Sequence, residues 1–441
     1  MGKYTKEDIK RLVEEEDIEF IRLQFTDVEG IFKNLAITTR QLDKALDGRC
    51  VFDGNCIEGF RAAGEAEMYL VPDYDTFTIF PWRPQSGKVA RFICDIYKPD
   101  GEPLVFSPRT VLKNVLDKAS DEGYELKVES ECEFFLFDLG EDGEIKPYTK
   151  ENGGYFDVSP LDQGENARRE MVMMLEDMGF QIMSSFHEEA KGQHEIDFKY
   201  TDALRSADDV MTFKMAVRTI ARRHGFHATF MPKPRTDADG SGIHFNFMLY
   251  KDGKNVFYDE KAENGLSEEA MSFIAGILAH ADEIAAVTNP LVNSYKRLVP
   301  GFRAPVYEGW STQSTSTMIK VPFQRGHMTR IELRNSDPCC NPYLVFALAL
   351  SAGLEGIKKK LKAPEMIEND PKLSEVELER RAKHLPTTLL DAVKSMEGSL
   401  FVKEVLGDKL FNTIIEAKKA EWIEYSGQVS DWELARYLNR F

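Results

Sequence analysis

The sequence predicts an α+β protein built from two unequal parts, and three observations carry that prediction. Strand-forming runs follow one another near the N-terminus, separated by turns and short helical stretches. A turn-rich segment, Pro99-Asp100-Gly101-Glu102-Pro103, then interrupts the pattern. Beyond it, long helical periodicities alternate with strands that carry their polar residues on one face. These features divide the chain into residues 1–103 and 104–441. With 42% hydrophobic and 29% charged residues, the 441-residue chain has the composition of a globular protein with a large core.

The first part opens with a helix over 5–15, with Thr5 as cap and Glu7 and Asp8 in its first turn. Ile18 to Thr26 and Ile31 to Thr38 read as a hairpin around Asp27-Val28-Glu29-Gly30. A short helix at 40–47 and strands at 67–71, 76–80 and 88–97 complete this part. The second part begins with Ser107-Pro108, a cap and first-turn proline before a helix to Glu122. Helices are expected at 165–178, 202–224, 267–287 and 341–360, with strands between them forming an antiparallel sheet. The tail carries helices at 387–395, 410–425 and 432–438, and 362–380 reads as a loop.

A net charge of −18 argues against nucleic-acid and membrane-surface partners and favours cation binding. No apolar run reaches membrane-spanning length, and the N-terminus lacks a signal-peptide apolar region. A cytoplasmic location follows as the expectation. The six cysteines include no C-x-x-C pair and read as thiols, mostly in the core.

Four stretches carry chemistry. In the strand from Val128 to Phe137, side chains alternate, so Glu129, Glu131 and Glu133 share one face. Three carboxylates beside so apolar a run are costly unless a cation binds or the face meets water. Glu188 sits at a turn and Glu195 heads an alternating strand. After the turn Gly240-Ser241-Gly242, His244 and Asn246 share one face while Phe245, Phe247 and Leu249 take the other. In Arg330-Ile331-Glu332-Leu333-Arg334, Ile331 and Leu333 face a core, and Arg330, Glu332 and Arg334 face a cleft. Five or more carboxylates with one imidazole suit two or more Mg²⁺ or Mn²⁺ ions. Arginines beside them suit carboxylate and phosphate groups, the equipment of phosphoryl transfer.

Along nearly its whole length the chain resembles the type I glutamine synthetase family. The resemblance rests on Phe52-Asp53-Gly54, Gly153-Gly154-Tyr155-Phe156, Gly192-Gln193-His194-Glu195, Gly240-Ser241-Gly242-Ile243-His244, Asn289-Pro290 through Val299-Pro300-Gly301, and Arg330 through Arg334. It implies an N-terminal β-grasp-like domain, a catalytic domain, and a homo-oligomer of two stacked hexameric rings, a dodecamer. It implies one metal on Glu133, Glu188 and Glu195 and a second on Glu131, His244 and Glu332. Arg297, Arg334 and Gly240 would bind glutamate. Arg330, Lys320 and Asn246 would contact ATP, although the family usually has histidine at the last position. Asp53, supplied by an adjacent subunit, would join Tyr155 and Glu188 around ammonium. Glu129 has no role in the family and reads as a carboxylate that either meets water or stands behind the metal ligands.

Several positions depart from the family pattern. Arg303 stands where the flap Pro300-Gly301-Phe302-Arg303-Ala304-Pro305 has a catalytic glutamate, and an arginine cannot act as a base. Thr315 and Lys320 stand at two phosphate-facing arginines, Asp239 at an asparagine, and Asn55 and Cys56 at two serines. The resemblance implies an ATP-dependent glutamate–ammonia ligase acting through γ-glutamyl phosphate. The departures keep two alternatives open: a γ-glutamyl ligase for another amine or amino acid, and a non-catalytic regulator that binds glutamate or nucleotide.

Overall fold

Helix α1 (Lys6–Glu15) starts at a capping box in which Thr5 and Asp8 satisfy each other's backbone N–H groups. Ile9 and Val13 anchor it to the core. The computed structural model describes residues 2–57, 59–60, 66–83, 86–140, 142–145, 147–367 and 381–441. Strands β1 (Ile18–Thr26) and β2 (Phe32–Thr38) form the expected hairpin, with Gly30 at positive φ in its turn. After α2 (Leu42–Leu46) comes β3 (Cys50–Asp53), a four-residue strand too short to leave a periodic signal. The two strands expected at 67–71 and 76–80 are one, β4 (Glu67–Ile79). Its pairing shifts register between Asp73 and Thr78, where the Thr76 hydroxyl accepts from the Ile93 N–H at 2.8 Å and bridges the irregularity. With β5 (Lys88–Tyr97) these strands form a sheet of order β2-β1-β5-β4-β3, in which β1 and β5 run parallel.

Helix α3 (Pro108–Asp121) leads into β6 (Tyr124–Asp138), the acidic strand. The second sheet has the order β12-β13-β14-β10-β6-β8-β7, with β9 beside β6 and β11 beside β10. Its strands are β7 (Ile182–His187), β8 (Gln193–Asp202), β9 (Phe226–Thr229), β10 (Ile243–Lys251), β11 (Lys254–Asn255), β12 (Tyr307–Ser311), β13 (Thr317–Lys320) and β14 (Ile331–Leu333). The expected antiparallel pairing holds except between β12 and β13, which run parallel.

Helices α4 (Glu165–Asp177) and α5 (Ala203–Arg223) follow β6 and β8. The helix expected over 267–287 is two, α6 (Glu268–Ala279) and α7 (Ala281–Thr288), bent by 73°. The break falls at His280, whose ring stacks on Phe401 and pairs with Glu283 and Glu355, contacts that a straight helix would not place together. The short α8 (Ser294–Arg297) precedes α9 (Pro342–Lys359), which backs the large sheet; Phe346 meets Phe245 and Phe247 edge-on. The tail forms α10 (Leu389–Glu397), α11 (Leu400–Ser426) and α12 (Asp431–Tyr437). Helix α11 begins ten residues before the expected start, because Gly407 at positive φ interrupts it without ending it. Of the expected loop at 362–380, residues 368–380 lie outside the described residues.

Arg109 joins the two parts. Its guanidinium is buried and pairs with Asp73 of β4, Asp95 of β5 and Asp208 of α5 at 2.6, 2.7 and 2.9 Å. One cation among three carboxylates fixes how the small sheet sits on the helices.

Candidate active site

Register, not sequence proximity, builds the site. Across β8, β6, β10, β14 and β13, opposite pairs run Glu195–Glu133, Asp197–Glu131, Glu131–His244, Asn246–Glu332 and Glu332–Lys320. Opposite residues in a sheet share a face. Alternation therefore places all these side chains on the side facing away from α9, where all but Asn246 line a cavity of about 340 Å³. Among the described residues its lining includes seven carboxylates and five cationic side chains, an excess of negative charge that suits a bound cation.

Glu131, His244 and Glu332 present ligand atoms within 4.8 Å of one another. His244 Nδ1 lies 3.2 Å from Glu131 and 3.6 Å from Glu332. Burial, then the nearby Arg334, push the imidazole well below its usual range, leaving a neutral ring with a free lone pair. Glu133 accepts from the Gln193 side chain at 3.0 Å and from Gly242 N–H at 2.9 Å. Burial, then Glu188, push it up to about 8. Burial, then Glu131, push Asp197 up to about 7, and burial raises Glu188 and Glu195 as well. So many crowded carboxylates with raised affinity for protons are the donor set of hard divalent cations, and the residues present fit Mg²⁺ or Mn²⁺.

The arginines are held from behind. Arg297 donates to the carbonyls of Arg334, Asn335 and Ser336 at 2.9–3.3 Å. It packs on Gly240 and Gly242: a Cβ on Gly242 would lie 2.3 Å from its Nη2, and one on Gly240 would lie 2.3 Å from the Pro232 carbonyl. Arg334 forms a close ion pair with Glu332, which outweighs its burial and holds the guanidinium above its usual range. Arg330 reaches Asn246 at 3.2 Å and bonds the Gln324 side chain.

Of the residues expected from the sequence, Glu131, Glu133, Tyr155, Glu188, Glu195, Gly240, His244, Arg297, Arg303, Lys320, Arg330, Glu332 and Arg334 line this one cavity, with Thr315. Two do not. Asn246 is fully buried beneath the floor and donates to Glu131 at 2.8 Å. Asp53 stands exposed at the end of β3, where it accepts from Asn55 N–H, away from the cavity of its own chain. Glu129 is not solvated: it is 1% exposed, held beside Asn246 and Arg330, and pushed by burial to about 7. Asn246 of β10 and Arg330, just before β14, lie against its carboxylate. Sequence reasoning passed over Asp197 and Gln193, although both share a face with Glu195 by simple alternation. It also passed over Glu189, which meets Arg303 at 2.6 Å; only the fold brings that pair together.

Comparison with known proteins shows the family of the chain. The family description "glutamine synthetase, beta-Grasp domain" matches residues 17–99, and "glutamine synthetase, catalytic domain" matches residues 105–437. A glutamine synthetase of Clostridium saccharobutylicum is 54% identical over 100% of both chains, and one of Staphylococcus aureus is 50% identical over 99% of both. Among solved structures, a GmaS–ADP complex superposes with a TM-score of 0.89 at 31% identity, covering 98% of this chain and 99% of that one. Plasmodium falciparum glutamine synthetase shares the fold, with a TM-score of 0.88 at 24% identity over 99% of both chains. Matched along both its parts, with its acidic and arginine-bearing strands gathered on one sheet face, the chain belongs to the glutamine synthetase family, ligases that form carbon–nitrogen bonds.

Proposed function

We propose that this protein is an ATP-dependent glutamate–ammonia ligase, making glutamine, ADP and phosphate through γ-glutamyl phosphate. The observation that carries the reading is the convergence of Glu131, Glu133, Glu188, Glu195, His244 and Glu332 with Arg297, Arg330 and Arg334 around one cavity. In this reading Arg297 binds the α-carboxylate of glutamate and Arg334 its side-chain carboxylate. Arg330 and Lys320 neutralise ATP phosphates, with Asn246 supporting Arg330 from below. Glu133, Glu188 and Glu195 would hold one Mg²⁺ or Mn²⁺ ion and Glu131, His244 and Glu332 a second, and such ions would supply charge neutralisation for phosphoryl transfer. Glu188, with Asp53 of a neighbouring subunit, takes a proton from ammonium, and Tyr155 walls the site. The boundary between an N-terminal domain at residues 1–103 and a catalytic domain at 104–441 belongs to the same reading.

The assembly we propose is a dodecamer of two hexameric rings. Two features support subunit contacts: Asp53 does not reach the cavity of its own chain, and the tail exposes Trp432, Leu438 and Phe441, apolar side chains that a partner would cover. A cytoplasmic location accords with six free cysteines. No single helix among the described residues is long and apolar enough to cross a membrane.

A second reading, ligation of another amine or an amino acid, is favoured by Arg303 at the mouth, where a guanidinium can meet an acceptor carboxylate. ADP release by the purified protein, measured with glutamate and a panel of amines, separates the readings. Turnover with ammonium, yielding glutamine, is expected. Turnover only with a larger amine establishes the second reading, and silence throughout establishes a non-catalytic binding protein.

A further inference from the structure

Between the small sheet and α5 lies another cavity, of about 510 Å³ against about 340 Å³ for the catalytic one. In a chain of net charge −18, it is lined by six cationic side chains and a single carboxylate, Glu29. Three of the cations have local partners. Lys33 pairs with Asp27 at 3.1 Å, Lys418 with Glu29 at 3.2 Å, and Lys214 donates to the Cys340 carbonyl at 3.2 Å. The other three are Arg22, Arg83 and Arg218, and among the described residues none of them forms an ion pair with a carboxylate. Arg22 donates to the Asn34 side chain at 2.7 Å, and Arg218 lies over the Phe230 ring at 5.2 Å. Burial, and then the like charge of Arg83, hold the Arg22 guanidinium below its usual range.

Between these groups the wall is apolar. Phe80 and Trp82 stack at 4.9 Å, and Met211, Met215 and Phe230 line the cavity with them. Guanidinium groups gathered without a counter-anion repel one another, and an incoming anion relieves that repulsion. An apolar lining with a few convergent charges is the general form of a small-molecule site. We propose that this cavity is an effector site for a small organic anion, a carboxylate or phosphate carried on an aromatic body.

Its walls continue into those of the catalytic cavity. Phe230 is followed by Lys233, which lies 3.1 Å over the ring of flap residue Phe302, and then by Gly240. Pro290 and Leu291 lead through Asn293 to Arg297. Asn293 and Lys233 exchange hydrogen bonds at 2.8 and 3.0 Å, and Cys339 meets the Phe230 carbonyl at 3.3 Å. An occupant that shifts Phe230 or Leu291 therefore shifts the flap and the arginine that binds glutamate.

The test is calorimetric titration of the full-length protein, with its catalytic cavity saturated by ADP and magnesium, using AMP, phenylpyruvate and inorganic phosphate. AMP or phenylpyruvate is expected to bind once per chain, and the tighter of the two identifies the phosphate or the carboxylate source. Arg83→Ala and Arg218→Ala, at exposed positions, should each weaken that binding about tenfold, the loss of one charge-assisted contact, while turnover without the probe stays near wild type. The bound probe should change the KM for glutamate in wild type and not in these variants. Absence of organic-anion binding, equal binding in the variants, inorganic phosphate binding as tightly as both organic probes, or binding without a change in KM would each overturn the proposal.

Discussion

Arg303 Nη2 lies 2.6 Å from Glu189 Oε1, so the segment 300–305 at the cavity is tied to the residue next to Glu188. In the proposed reaction the pair neutralises a positive charge beside the path of ammonium. Glu189→Gln leaves Arg303 uncompensated and should lower kcat/KM for ammonium by about three- to tenfold, since an exposed charge acts with about 1 kcal/mol. Arg303→Gln in the Glu189→Gln background should recover the loss. Steady-state kinetics of the two single variants and the double variant check this; equal losses that add would show that the pair does not act as a unit.

Metal affinity should rise with pH. Glu133 at about 8 and Asp197 at about 7 hold protons near neutrality because of their burial and, second, the carboxylates beside them. A protonated carboxyl is a poor ligand, so binding releases protons, and affinity climbs as pH rises through 7 and levels off above about 8. Calorimetry with Mn²⁺ in two buffers of different ionisation enthalpy measures the protons released; a value of zero at pH 7 would contradict the assignment. Glu133→Ala should keep the circular dichroism of the native protein and abolish metal-dependent turnover.

Gly242→Ala should damage glutamate binding. The added methyl would meet Arg297 Nη2 at 2.3 Å, and that guanidinium is pinned by three carbonyls, so it must give up at least one charged hydrogen bond. At about 1.5–3 kcal/mol per bond, KM for glutamate should rise about ten- to hundredfold. An unchanged KM would show that Arg297 yields without loss.

Mixing Asp53→Ala and Glu133→Ala subunits should restore part of the activity that each lacks alone. Asp53 is exposed and remote from its own chain's cavity, so some hybrid interfaces carry neither lesion. Native mass spectrometry establishes hybrid formation. Hybrids without activity would rule out a site shared between subunits.

Arg109→Ala should cost about 3–5 kcal/mol, because it leaves the buried carboxylate of Asp208 without its paired cation and Asp95 with Lys113 alone. Thermal unfolding is the measure. A change smaller than about 1 kcal/mol would show that the small sheet is held to α5 by apolar packing alone.

The local elements were determined by the sequence wherever a pattern repeats over several residues. The capped α1, the hairpin of β1 and β2, and helices α3, α4, α5 and α9 lie within a residue or two of their expected bounds. The face on which Glu131, Glu133, His244 and Glu332 stand was equally legible, because alternation along a strand is a property of the backbone. Pairing was not. The registers that set Glu133 opposite Glu195 and His244 opposite Glu131 join residues more than sixty positions apart, and no local period encodes them. The surroundings of Glu129 depended on Asn246 and Arg330, and the break at His280 on Phe401 and Glu355, all far along the chain. The Arg303–Glu189 pair and the cation-lined cavity beneath the small sheet arise in the same way. Charges distant in sequence become neighbours only after apolar burial has fixed which elements pack together, and that choice belongs to the tertiary structure.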